Sequence, residues 1–382
     1  MRFLLLIFAA VIFCRCGSSD GASLILIDTS REYPESDLRL SDVAEVKYIP
    51  LKYGKDSIIF ANPAPYAVTV HRDTIYILNW KPLSLSQVIA YDTLGNPLSK
   101  IDKMGRGPNE YTQLISYMLD TTRRVIYGWD DHSQKILAYD LDGNCLGEKS
   151  LGVNYTQMAN LNDDYLLGYN SFSLMESDTP GKVIDSGRKT ITFINKDDFT
   201  ETVYDFDYEK PEPNNRPSIT YRHLTHTKEG IYITNERSDT VYFLDRDLKL
   251  TPRIVDITPR SQYRMSVIMP TIETDRYLFL SNNYYMDNPP YKSPDYYVYD
   301  KQEKQIYRLK TDKSIKASFV LLANDYIALD QFDLTRTYNY TSSFGPPYHL
   351  RREYDNLPPE LREIVDTLDD LDNPVLMLIK FK

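Results

Sequence analysis

A four-run unit recurs along most of this chain, and that recurrence constrains the fold more than any other feature. Each unit is a run of alternating apolar residues, a tight turn and a second run ending in a Tyr-rich apolar triplet. A loop then leads to two further runs joined by another turn. The first copy reads Tyr66–His71, Thr74–Trp80, Gln87–Asp92 and Pro97–Ile101. The second reads Leu114–Asp120, Arg124–Asp130, Lys135–Asp140 and Cys145–Leu151. Alternation within a run is the period-two signature of a half-buried strand. Ile89-Ala-Tyr-Asp92 and Leu137-Ala-Tyr-Asp140 are nearly identical. Each leads to a turn, Leu94-Gly95-Asn96 or Asp142-Gly143-Asn144, whose Gly supplies the positive φ such turns need.

Later copies diverge but keep the rhythm. Their second strands centre on Tyr165-Leu-Leu-Gly168, Ile231-Tyr-Ile233, Tyr277-Leu-Phe-Leu280 and Tyr326-Ile-Ala-Leu329. Their third strands are Thr190–Ile194, Thr240–Leu244, Tyr296–Tyr299 and Pro374–Phe381. With Ile75 and Ile126 from the first two copies, six anchors fall roughly 40 to 65 residues apart, the spacing of four-stranded propeller blades. The sixth copy ends after its third strand, and a strand to complete it lies near the other terminus, at Ala44-Glu-Val-Lys-Tyr-Ile-Pro-Leu51. The expectation is an all-β, six-bladed β-propeller of four-stranded antiparallel blades. Pairing of the N-terminal strand with the C-terminal blade closes the ring and removes an open sheet edge. The alternative is a β-sandwich with a smaller second domain. A short helix is expected in the blade-six insertion, Asp333 to Asn373, where Pro358-Pro-Glu precedes the stripe Leu361, Ile364, Val365 and Leu368.

Composition agrees with strands and narrows the partners. Tyr, with 32 residues against 2 Trp, favours pleated half-buried surfaces. A net charge of −10 argues against nucleic acid as a ligand. The apolar run Phe3–Phe13 follows Arg2 and is too short to span a bilayer, so it reads as a secretory segment. It stops at Cys14 and Cys16, followed by Gly17-Ser-Ser-Asp-Gly21, which resembles a bacterial lipoprotein signal. Cys16 is the expected acylation site and Cys14 the alternative; an ordinary cleaved signal is the third reading. The division is then a signal segment over 1–16, a polar tether over 17–36 and the propeller over 37–382. Cys145 is the remaining cysteine, so no disulfide framework is expected.

Three segments carry a further resemblance: Leu40-Ser-Asp-Val-Ala-Glu-Val-Lys-Tyr-Ile-Pro-Leu51, Gly105-Arg-Gly-Pro-Asn-Glu-Tyr111 and Asp372-Asn-Pro-Val-Leu-Met-Leu-Ile-Lys-Phe381. Through them nearly all the mature chain resembles the six-bladed β-propeller lipoproteins of Bacteroidetes, themselves distantly similar to NHL-repeat propellers. The resemblance implies an exported ring anchored to the outer membrane, and it implies no settled activity. One feature departs from lipoprotein signals, which carry small residues before the Cys: here Arg15 precedes Cys16 and Phe13 precedes Cys14.

In a propeller, the loops between second and third strands and those between blades share one face, where ligands bind. The long insertions of blade three (Ser171 to Gly187) and blade six therefore face each other across one mouth, and blade five adds Asn282-Asn-Tyr-Tyr-Met-Asp-Asn-Pro-Pro-Tyr291. Candidate ligand contacts on these loops are Trp80, Arg106, Glu110, Asp130, His132, Asn235, Arg237, Asn283, Tyr284 and Asp330. Aromatic rings beside amides and carboxylates suit a glycan or peptide. A bland reading stands beside this for the 103–111 loop: Gly105, Gly107 and Pro108 set the chain direction while Tyr111 packs between blades. His223 and His226 are spaced to point to opposite faces of a strand, so no metal is expected there. No Gly-x-Ser-x-Gly, Walker or zinc motif occurs, and neither a catalytic residue nor a cofactor is assigned. The leading expectation is a monomeric ring that binds a glycan or peptide or docks an envelope protein. A channel-based lyase or hydrolase, and a purely structural envelope protein, are the other two.

Overall fold

The computed structural model describes residues 24–54, 67–81, 84–151, 155–170, 174–176, 183–185, 190–204, 223–235, 238–259, 266–284, 294–310 and 340–382. Side chains of 174–176, 183–185, 284 and 340–342 are outside that description. Six small sheets form a ring, a six-bladed β-propeller. Blade one is Val68–His71, Thr74–Lys81, Leu85–Asp92 and Pro97–Ile101. Blade two is Leu114–Asp120, Val125–Asp130, Lys135–Asp140 and Cys145–Ser150. Blade three is Gln157–Asn160, Tyr165–Tyr169, Ile191–Asn195 and Glu201–Tyr204. Blade four contains Leu224–His226, Gly230–Ile233, Thr240–Asp245 and Leu250–Asp256, and blade five Ser266–Glu273, Tyr277–Tyr284, Asp295–Asp300 and Gln305–Leu309. Within each blade the neighbours are antiparallel.

The core is not one mass but six, each between two neighbouring blades. Tyr76, Leu78 and Val88 of blade one pack on Tyr117, Ile126 and Leu137 of blade two. Corresponding clusters join blades two and three, three and four, four and five, and five and six. The sixth cluster sets Ile49, Leu376 and Leu378 of blade six against Ile75, Ile77 and Tyr91 of blade one, which closes the circle. The closing strand is the expected one. Ala44–Pro50 pairs antiparallel with Val375–Phe381, from Val375 opposite Pro50 to Phe381 opposite Ala44.

Turn chemistry explains the repetition. The Asp92 carboxylate accepts the N–H groups of Leu94 and Asn96, Asp140 those of Asp142 and Asn144, and Asp245 those of Asp247 and Lys249. The residue three after each Asp is left-handed: Gly95, Gly143 and, without a Gly, Leu248. Just before each turn the third and fourth strands slip by one residue, between Ala90 and Tyr91, Ala138 and Tyr139, and Val241 and Tyr242. Such bulges add twist to an outer edge.

Two expectations change. Residues expected in a polar tether belong to the ring from Ile25 onward. Ile25–Ile27 adds a parallel fifth strand to blade four, and Glu35–Ser36 does the same for blade five. Ile25 and Ile27 lie in the core between those blades, where burying each contributes about 1.5–3 kcal/mol. The stretch is too short for its alternation to stand out from a polar segment. In blade six, the strand beside Val375–Phe381 is Tyr340–Gly345, whereas Tyr326–Leu329 had been expected in that place and lies outside the described residues. Tyr340-Thr-Ser-Ser-Phe-Gly345 is polar and runs into Pro346-Pro347, so it reads as loop. The insertion it leaves, 346–374, holds helices Pro347–Arg352 and Pro359–Val365, with Leu361 and Val365 buried as the stripe predicts.

Candidate functional site

Strand order places the ends of the second strands and the starts of the first strands, among the described residues, at one mouth of the ring. In register these are Leu114 with Asp130, Gln157 with Tyr169, Leu224 with Ile233 and Val267 with Asn283. Buried polar residues gather there beside the apolar strand ends: Asn79, Ser86, Gln113, Asp130, Asn170, His223, Thr234, Asn235, Asn282 and Asn283.

Asp130 is fully buried. Its carboxylate accepts the Thr112 N–H at 2.6 Å, the Gln113 N–H at 3.4 Å, and the Ser133 N–H and hydroxyl at 3.3 and 2.6 Å. It thereby ties the entry of the first strand to the exit of the second. Gln113 reaches back across the blade boundary, its Nε2 donating to Lys81 O at 2.8 Å, and Ser86 Oγ donates to Leu114 O at 2.8 Å. Trp80 lies beside this crossing, half-buried against the core between blades one and two.

The loop 103–111 closes on itself. Tyr111 N–H donates to Lys103 O, and Gly105 N–H to Tyr111 O. Glu110 turns its carboxylate inward, where Oε2 accepts the Gly107 N–H at 2.7 Å. A Cβ on Gly105 would meet that carboxylate, so a larger residue there would displace Glu110. Tyr111 is fully buried between blades one and two, with its hydroxyl 2.7 Å from Ser86 O and accepting the Lys103 N–H at 3.1 Å. Burial pushes that phenol well above its ordinary pKa, so it stays protonated. Lys135 Nζ donates to Glu110 O at 2.6 Å and pairs with Glu148 at 3.0 Å, fastening the loop to blade two. Arg106 and His132 are exposed.

A second cluster bridges blades three and four. Gln157 Oε1 accepts both the His223 and Leu224 N–H at 2.9 Å. Asn235 Nδ2 donates to the Tyr169 hydroxyl at 3.1 Å, and that ring lies 5.2 Å from the His223 ring. His223 Nδ1 is 3.2 Å from Thr234 O and therefore carries a proton. In blade five, Asn283 Nδ2 donates to Ser281 Oγ at 2.9 Å, and its buried Oδ1 has no hydrogen-bond partner among the described residues. Arg237, Asp330, Cys14 and Cys16 lie outside the described residues, as does the Tyr284 side chain.

The mouth thus holds three polar clusters in separate blades, not one convergent set. Gln113, Gln157, Tyr169 and His223 were missed as parts of it, because a polar residue at a strand end carries no sequence signal for a cross-blade bond. No group of three or more His, Cys, Asp or Glu among the described residues is placed to hold a metal ion. No helix among them is long and apolar enough to cross a membrane.

A ring of six small sheets, of three to five strands each among the described residues, with a polar, loop-bearing mouth defines a six-bladed β-propeller. Residues 24–380 match the family described as a domain of unknown function, DUF4934, and the chain belongs to it. No curated protein matches the chain. Among solved structures it is similar to a Bacteroides fragilis protein whose name calls it exported. The two are 17% identical with a TM-score of 0.67, over 94% of this chain and 100% of that one. It is also similar to a DUF4221 family member from Bacteroides vulgatus, 12% identical with a TM-score of 0.54, over 89% of this chain and 97% of that one. Likeness at such identity establishes the shared fold alone.

Proposed function

We propose that the protein is an exported, membrane-anchored propeller of the cell envelope that binds a glycan or peptide, or docks an envelope protein, at the mouth of the ring. The observation that carries this reading is the braced mouth. Gln113, Asp130 and Gln157 tie strand ends together, and an insertion follows the second strand in each of two opposite blades, the blade-six one packed through Leu350, Leu357, Leu361 and Val365 into the core between blades five and six. One is the hairpin Leu174–Glu176 with Val183–Asp185 in blade three, and the other is the helical segment 346–374 in blade six. A stiff frame under long loops is how recognition surfaces are built. Trp80, Arg106 and His132 are the contact residues the frame leaves at its surface. Asp130 positions the backbone of the turn that carries His132, while Asn235 and Asn283 are buried at the mouth in blades four and five. The name of the Bacteroides fragilis relative supports export.

The test is a glycan and peptide array probed with the mature chain, followed by product analysis of each hit. Binding without turnover, weakened at least about tenfold by Trp80→Ala and by Tyr284→Ala in folded protein, is the expected result. Turnover of a hit sinks the binding reading in favour of a channel lyase or hydrolase. Silence on every array with capture of one envelope protein narrows the reading to docking.

A further inference from the structure

The N-terminal strand carries information about how the ring is held. Ile25–Ile27 runs parallel to the outermost strand of blade four, Leu250–Asp256. Outermost strands run from the closed turns, at the end away from the mouth, toward the mouth. Ile25, Leu26 and Ile27 lie opposite Ile254, Val255 and Asp256, the last residues of that strand, so the chain joins the ring at its rim, at the mouth end of blade four. Ile25 and Ile27 point into the core between blades four and five, and the alternate residues point out. Leu24 is 48% exposed and Leu26 51%. Leu26 lies in register with Val255, and two residues on, along the same side, Ile257 is 44% exposed and hydrogen-bonded through its N–H to Ile27 O. Exposed apolar residues scattered singly mean little, but these are contiguous across two paired strands.

Spacing supplies the occupant. Residues 17–24 alone separate Cys16 from the strand, and eight residues span at most about 30 Å when fully extended. An acyl chain on Cys16 holds this patch within that distance of the bilayer. We infer that the outer edge of blade four is a lipid-contacting surface. Leu24, Leu26 and Ile257 rest on the bilayer beside the anchor, so blade four, and not blade one opposite it, faces the membrane. This rests on the anchored reading proposed above and adds an orientation to it. Apolar contact beside a lipid anchor strengthens attachment.

The test uses the full chain with Cys145→Ser, purified after export and placed on vesicles of phosphatidylethanolamine and phosphatidylglycerol containing a nitroxide-labelled lipid. A fluorophore is carried on Leu26→Cys or on Leu98→Cys, an exposed position on the outer strand of blade one, which stands opposite blade four. Quenching at position 26 is expected to exceed that at 98 by about threefold or more, and Ile257→Asp is expected to remove most of the difference. Equal quenching, or more at 98, overturns the orientation. A dimer that shields position 26 from the lipid also overturns it. Labelled palmitate incorporation, abolished by Cys16→Ala or Cys14→Ala, is measured in parallel. Its absence overturns anchor and orientation together, whereas incorporation with equal quenching overturns the orientation alone.

Discussion

Asp130→Ala separates a residue that frames the mouth from one that touches a ligand. The carboxylate accepts four hydrogen bonds from Thr112, Gln113 and Ser133. Ser133 sits on an exposed turn, so its donors turn to water when the carboxylate is removed. The Gln113 N–H has no such recourse, since Gln113 is only 2% exposed, and Thr112 is half-buried. Each buried donor left unmet costs about 1–3 kcal/mol, so the variant is expected to lose about 2–5 kcal/mol. For a chain this long that is a fall in Tm of roughly 3–7 °C, read by far-ultraviolet circular dichroism of the mature protein. Asp130→Asn keeps the shape and one acceptor, but sets an amide donor against other donors, and is expected to fall between. Amide hydrogen exchange at Thr112 and Gln113 should quicken in both variants. The reasoning is refuted if Tm stays within about 1 °C while binding of an array hit disappears, for the carboxylate would then serve the ligand.

Lys196→Met is expected to cost about 3–5 kcal/mol, because the Lys196 ammonium and Asp120 form a buried pair at the boundary of blades two and three. Lys196→Met with Asp120→Leu should recover part of that in denaturant unfolding, and no recovery would show that the pair is not the cause. Asp140 is held below the usual carboxylate range, first by the Asn144 side-chain amide and then by its backbone N–H. With the folded pKa below the unfolded value of about 3.9, its contribution is full above that pH and disappears as pH falls through the lower folded value. Asp140→Asn should therefore flatten the loss of urea midpoint below about pH 4, and an unchanged acid limb would contradict this. Gly95→Ala must place a Cβ against Pro50 O at a left-handed φ of 77° and should cost at least about 2 kcal/mol. Gly147→Ala meets no atom within 4 Å and should stay within about 0.5 kcal/mol, so equal losses at the two sites would refute the steric account.

The architecture was legible because a propeller repeats its local chemistry. Asp92 and Asp140 head the same turn in sequence and in space, and the runs around them became strands with shifts of a residue or two. Ring closure was legible because Ala44–Pro50 was a strand with no partner nearby in sequence. The rim strand was not, since Ile25-Leu-Ile27 is only three residues long and owes its position to a parallel pairing with residues more than 200 positions away. Tyr340–Gly345 was hidden for the opposite reason: its partner, Val375–Phe381, was plain, but its own polar sequence offered no apolar alternation.

The mouth shows why site residues are harder to read than blades. At the mouth the strands end, so backbone groups there lose the ladder partners they have along the strands. An unmet buried N–H or C=O is costly, and short polar side chains are the remedy. Asp130 covers two such N–H groups, Gln157 covers two more across a blade boundary, and Gln113 and Ser86 cover the carbonyls of Lys81 and Leu114. A polar residue at the end of a second strand is thus required by the fold before any ligand is considered, and in sequence it resembles a binding residue. What separates the two roles is exposure. Asp130 and Asn283 are buried, whereas Arg106 and His132 stand in solvent on loops those bonds hold still. Recognition in this ring should therefore change with the exposed loop residues and the two long insertions, and stability with the buried polar frame.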